Sequence, residues 1–177
     1  MKKKIDISLI LLIVLLSLGL LLFGGMFINS IQNYSRFGNI SYDDLEYEQL
    51  TFKKFKFVSG YKISPTYEIY FEEYEEAFCM QNHTLTALNE TALKQLKSGE
   101  IVELYYKNAK DKNYIFDICE INNEDTIFLS LEDYKRVNQN SEIVGLIIGP
   151  IFFLLESSLL FIIIKNRGFP TMKKLSK

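Results

Sequence analysis

Glu156 stands in the middle of "IFFLLESSLLFIII" (Ile151 to Ile164) and is the one charged residue between Ile143 and Ile164. An acid at the centre of a bilayer costs roughly 3 kcal/mol to insert, so such residues face a partner or a water-filled path. Three uses suit it. It could be held by a serine or snorkel toward the nearer face, meet another subunit or protein, or pass a proton or ion. Two helices in one chain cannot enclose a pore, so conduction would require an oligomer. Counted inward from Ile28 and Ile143 in a helix hairpin, Glu156 comes level with Leu15. Ser17 then lies two residues away, about 3 Å along the axis. A hydrogen bond between Ser17 and Glu156 forms if both point inward, and Ser157 and Ser158 could share the load.

Other reactive side chains are few. Cys79 and Cys119 are the only cysteines, each flanked by apolar residues. They could join two strands as a disulfide on the oxidising side of a membrane, or stay as buried free thiols. His83, the only histidine, sits in the polar stretch "QNHT" and reads as a surface loop residue, because no ligand spacing surrounds it. Glu68, Glu72, Glu73, Glu75 and Glu76 could offer carboxylates to Ca²⁺, but no D-x-D-x-D-G loop orders them. Alternate acids on a strand face opposite ways, so a solvated hairpin is the simpler reading. Asn82-His-Thr and Asn89-Glu-Thr match the glycosylation pattern, which matters only in a eukaryotic secretory pathway. There is no G-x-S-x-G, no phosphate-binding glycine loop and no Cys-His pairing within one motif. These residues predict no metal site, no cofactor and no enzyme.

The elements that carry them divide the 177 residues sharply. Ile5 to Ile28 contains one acid, Asp6, and Ile143 to Ile164 contains only Glu156. A spanning helix needs about 20 apolar residues, and both runs meet that length. A cleaved signal peptide is the weaker reading of the first run. The run exceeds a signal h-region, and "NSIQNYSRF" behind it lacks a small-residue cleavage site. Eight basic residues lie on the terminal segments: Lys2, Lys3, Lys4, Lys165, Arg167, Lys173, Lys174 and Lys177. Residues 29–140 carry 12 Lys and Arg against 19 Asp and Glu. The positive-inside bias therefore puts both termini in the cytoplasm and the middle segment outside. An acidic outer segment also argues against a nucleic-acid partner. The expected division is 1–28 for the N-terminus and first span, 29–140 for an extracytoplasmic domain, 141–165 for the second span and 166–177 for a basic tail.

Glycines favour a close pair of spans. Gly145 and Gly149 form a small-xxx-small pattern, and Gly24 and Gly25 fall level with the stretch between them. Hairpin packing is the first reading and a homodimer seam the second. Pro150 is expected to kink the second span.

The middle segment reads as strands. "SYDDLEYEQL" suggests a short helix or turn with Ser41 as its cap. "TFKKFKFVSGYKI" alternates as a half-buried strand does. "SPTYEIYFEEYEEAFCM" predicts a turn at Ser64-Pro65, an aromatic strand from Tyr67 to Glu73, an acidic turn near Tyr74 to Glu76 and a return along Ala77 to Met80. "TALKQLKSG" predicts the one internal helix, with Leu88, Ala92, Leu93 and Leu96 on one face and Gly99 just past its end. "EIVELYYKN", "NYIFDICEI" and "TIFL" supply three more strands, and Ser130 caps a helix leading to the second span. The fold class is α+β: two transmembrane helices flanking a small antiparallel β-rich domain, a sheet or partly open barrel, with one internal helix.

The succession "YEIYFEEYEEAF", "LKQLKSGEIVELYY" and "IFLSLEDYKR" running into a membrane helix resembles a loose group of uncharacterised bacterial two-pass membrane proteins. The likeness covers Thr51 to Ile164. It implies a bacterial envelope protein and carries over no functional residue. The expected function is non-catalytic binding of a protein or peptide partner by the outer domain, in an accessory, sensor or immunity-type role. Alternatives are an oligomeric transport or channel component using Glu156, and a structural membrane spacer. Besides a protein partner, the expected associates are the lipid bilayer and, in the homo-oligomeric case, copies of the chain itself.

Overall fold

A computed structural model describes residues 7–60, 63–108 and 116–167. The chain divides into two compact units. One is the N-terminal part to Asn33 together with Glu142 onward, and the other is Tyr34–Ser141. Both boundaries fall inside long helices, α1 (Ile7–Gly38) and α3 (Leu131–Arg167).

Each of these helices is long and apolar enough to cross a membrane. Their apolar side chains are exposed, Leu21 by 74% and Phe161 by 65%. A helix apolar all round that is not buried in a protein core suits a bilayer. α1 runs ten residues beyond Ile28, where the apolar run was expected to end, because nothing in "NSIQNYSRF" breaks a helix. α3 starts at Leu131, where Ser130 Oγ accepts from the Asp133 N–H at 3.1 Å, so the expected cap is present. The helix continues through Pro150 without interruption.

Among the described residues the second unit holds six strands: β1 (Glu46–Gly60), β2 (Ile63–Phe71), β3 (Phe78–Gln81), β4 (Ile101–Asn108), β5 (Phe116–Asn122) and β6 (Ile127–Leu129). The hydrogen-bonded order is β3-β2-β1-β4-β5-β6, all antiparallel, and a further parallel pairing joins β3 to β5. That last pairing closes β1, β2, β3, β5 and β4 into a five-stranded barrel with β6 appended. This is a Greek-key barrel, the class that includes the OB-folds. β1 makes closure possible by serving two neighbours in turn. Its first half pairs with β4 as far as Thr51↔Ile101, and its second half pairs with β2 from Phe52↔Phe71 onward. A register shift at Lys53 marks the changeover, where a bulge sharpens the bend.

Three local expectations need correction. Glu46–Leu50 belongs to β1, and only Tyr42–Asp44 forms a 3-10 turn after Ser41. β2 runs straight through Ser64 and Pro65. Proline is tolerated because the two residues fall in a register shift between Val58↔Thr66 and Gly60↔Ile63. The internal helix is a single turn, α2 (Glu90–Leu93), preceded by a 3-10 segment at Asn82–Thr86. Asn89 starts α2 by accepting from the Ala92 N–H at 3.2 Å, and Gln95 and Leu96 then tighten to bonds three residues back. Gly99 ends the segment with φ +91°, while its N–H reaches across to the Phe52 carbonyl at 2.8 Å. Leu88, Leu93 and Leu96 are buried as their spacing predicted. The barrel core holds Ile69, Phe71, Phe78, Val102, Leu104 and Ile118, among others.

Candidate functional site

In the helical unit, the contacts between α1 and α3 form one antiparallel seam. Gly145 faces Ser30, Gly149 faces Phe27, Phe152 stacks on Phe23 with ring centroids 4.8 Å apart, and Glu156 faces Gly19. Asn33 Nδ2 donates to Glu142 Oε1 at 3.2 Å at one end of the seam. A β-carbon at Gly149 would stand 2.9 Å from Phe27 Cβ and 3.3 Å from the Phe23 carbonyl oxygen, so close backbone approach requires glycine there. Gly145 and Gly149 therefore pack on Ser30 and Phe27 of α1, not on Gly24 and Gly25 as counting from the apolar ends suggested. A β-carbon at Gly24 would meet only the Phe153 ring, at ordinary distance, and one at Gly25 would meet nothing within 4 Å.

The Glu156 carboxyl rests on Gly19, one helical turn from the depth given by counting inward from Ile28 and Ile143. Such counting assumes equal overhang of the two apolar runs, whereas the glycines and Phe23 set the register. Ser17 does not reach Glu156: its hydroxyl donates to the Ile13 carbonyl within its own helix at 2.8 Å. Ser157 makes no bond to it either, and Glu156 Oε2 is buried without a hydrogen-bond partner among the described residues. Gly19 was the residue missed. Its place follows only once Asn33–Glu142, Ser30–Gly145, Phe27–Gly149 and Phe23–Phe152 have fixed the register of the two helices.

In the barrel unit, a polar cluster sits beside Tyr134 of α3. Lys107 Nζ donates to the Tyr134 hydroxyl at 2.7 Å, and that hydroxyl donates to Asp117 Oδ2 at 2.9 Å. Lys107 also pairs with Asp117 at 3.6 Å and lies over the Tyr134 and Phe37 rings. Burial raises the Asp117 carboxyl above its ordinary range, with Lys107 opposing, and burial likewise raises the Tyr134 phenol. Nearby, Glu120 accepts from the Tyr42 hydroxyl, the Leu131 N–H and the Asn122 amide. Both groups tie α3 to β5 and have a packing role. The β4–β5 register sets Lys107 opposite Asp117, and α3 adds Tyr134 to the pair.

Cys79 and Cys119 are buried thiols that are not joined in a disulfide. The disulfide considered from sequence is not formed, and each thiol contacts the carbonyl two residues before it. Burial pushes Cys119 up to about 12. His83 is exposed in the 3-10 segment, and its carbonyl accepts from the Thr86 hydroxyl at 2.7 Å. Among the acids, Glu73 accepts from the Thr51 N–H, and Glu68 accepts from the Tyr70 hydroxyl and lies 3.9 Å from Lys56.

The outward face of β1 and β4 carries a different group. Tyr47 and Tyr105 are register partners with ring centroids 4.9 Å apart, and Tyr42 packs edge-on against Tyr105 at 4.7 Å. Tyr42 and Tyr47 remain 52% and 47% exposed. The next rows bring Gln49 to Glu103 and add the exposed Ile101, and Ile127 of β6 is exposed opposite Asn122. Comparison with known protein families, curated proteins and solved structures finds no match.

Proposed function

We infer that the chain is a non-enzymatic, two-span protein of the bacterial envelope whose barrel lies outside the membrane and binds a protein partner. The observation that carries this reading is the exposed tyrosine face of Tyr42, Tyr47 and Tyr105, extended by Ile101. Tyrosine supplies a large apolar ring with a polar tip and is enriched where proteins meet. The three rings already hold one another in place, so little side-chain freedom is lost on docking. Two apolar helices with basic flanks support the membrane placement. The alternative use of Glu156 in a transport path draws no support from its position, since the carboxyl is turned onto Gly19 within the helix pair.

A photo-crosslinking residue at Tyr47 or Tyr105, expressed in the native cell, tests the reading. The expected result is capture of one discrete protein from both positions and not from Lys97, which is exposed in the turn before Gly99. Equal capture from all three positions, or none, would remove the tyrosine face as a docking surface.

A further inference from the structure

We propose that the free edge of β1, from Lys53 to Ser59, takes up an extended protein segment with acidic and apolar residues in alternation, adding it to the barrel as a further strand. In an antiparallel ladder only half of a strand's N–H and C=O groups face a given neighbour. The β4 side of β1 is used as far as Phe52, whose N–H donates to Glu100 and whose carbonyl accepts from Gly99, both at 2.8 Å. Beyond that point β2 is the only strand partner of β1 among the described residues. No backbone bond outside the β1–β2 ladder involves Lys53 to Ser59 among those residues either. The outward groups of this stretch thus form an open template for pairing.

Side chains along the edge specify the occupant. Lys54 and Lys56 lie on one face, opposite Tyr70 and Glu68 of β2, and Lys53 projects from the bulge. All three lysines are exposed. On the other face Phe57 packs against Tyr67 at 5.1 Å between centroids yet stays 51% exposed. An incoming strand would place every second side chain beside the lysines and the intervening ones beside Phe57. Opposite charges facing across a ladder stabilise it and like charges destabilise it. A second copy laid antiparallel along the same edge would set lysine against lysine, so the edge selects an acidic strand from another protein. The site is separate from the tyrosine face and does not depend on it.

The probe is a fluorescein-labelled peptide of alternating glutamate and valine, titrated with the full-length protein in neutral-headgroup micelles and read by anisotropy. The expected result is saturable binding that falls by about tenfold or more in the Lys53→Glu, Lys54→Glu, Lys56→Glu variant. The same peptide N-methylated along its backbone should not bind, because it keeps the charges but cannot join a ladder. The Tyr47→Ala, Tyr105→Ala variant should bind the peptide as the natural protein does. No binding, or equal binding of the N-methylated peptide, would overturn the proposal. Loss in the tyrosine variant alone would also overturn it, while leaving the tyrosine face intact as a docking surface.

Discussion

Gly19 and Gly25 lie six residues apart on α1 and meet different surroundings. A β-carbon at Gly19 would overlap the Glu156 carboxyl, whereas one at Gly25 would enter open space. Gly19→Val is therefore expected to cost the helix pair about 1–3 kcal/mol through overpacking, and Gly25→Val should leave it unchanged. Cysteines placed at Phe23 and Phe152 report the outcome, in a background where Cys79 and Cys119 are alanine. Disulfide yield between the two spans should fall for Gly19→Val only. Equal yields in both variants would mean that Glu156 can move aside and does not fix the register. The same pair shows what one sequence can hide. Glu156 was conspicuous as a lone charge, but its neighbour is a residue with no side chain, and nothing in the composition of α1 distinguishes Gly19 from Gly24 or Gly25.

Short elements in the barrel depend on individual polar contacts, because a single turn supplies too few hydrogen bonds of its own to be stable. The 3-10 turn at Tyr42–Asp44 is an example. The Asp44 carboxylate accepts from both the N–H and the hydroxyl of Ser41, each at 2.9 Å. The Ser41 backbone bond, followed by its hydroxyl, holds Asp44 below its ordinary value of 3.8. A lowered carboxylate stabilises the folded form above its unfolded value, and that contribution is lost as the pH falls through the lowered one. The Asp44 side-chain carbon in the folded protein is expected to titrate with a midpoint below 3.8, moving toward the ordinary value in Ser41→Ala. An unchanged midpoint in that variant would assign the shift to the backbone bond alone. Strand existence was legible at this scale, since "TFKKFKF" and "EIVELYY" alternate with period two. Strand ends were not. β1 begins five residues earlier than its alternation suggests, at Glu46, because pairing with β4 recruits Tyr47 and Gln49 into the ladder.

Charge asymmetry and helix length act on the whole molecule. Eight basic residues on the terminal segments flank two apolar helices, and the intervening unit is acidic. The proposed orientation, both termini cytoplasmic, predicts that cysteines introduced at Lys2 and Ser176 resist a membrane-impermeant maleimide in intact cells, while one at Glu75 reacts. Labelling at Lys2 without labelling at Ser176 would reverse one span and refute the hairpin arrangement. The buried Cys79 and Cys119 should contribute no background, since neither thiol is exposed. A barrel of this size closes only because β1 is long enough, at 15 residues, to pair with β4 and then with β2.

By itself the sequence determined the quantities that add up along the chain. Apolar length, net charge of each segment and two-residue alternation are sums over neighbours, and they set the two long helices, the acidic β-rich unit between them and most of its strands. The tertiary structure alone decided what depends on residues far apart in the chain. It closed the barrel through the parallel β3–β5 pairing, whose register partners Phe78 and Phe116 are separated by all of α2 and β4. It seated Glu156 on Gly19 rather than on Ser17, left Cys79 and Cys119 unjoined, and gathered Tyr42, Tyr47 and Tyr105 on one face. Each of those outcomes follows from which backbones can approach closely, and no pattern of neighbours along the chain records that.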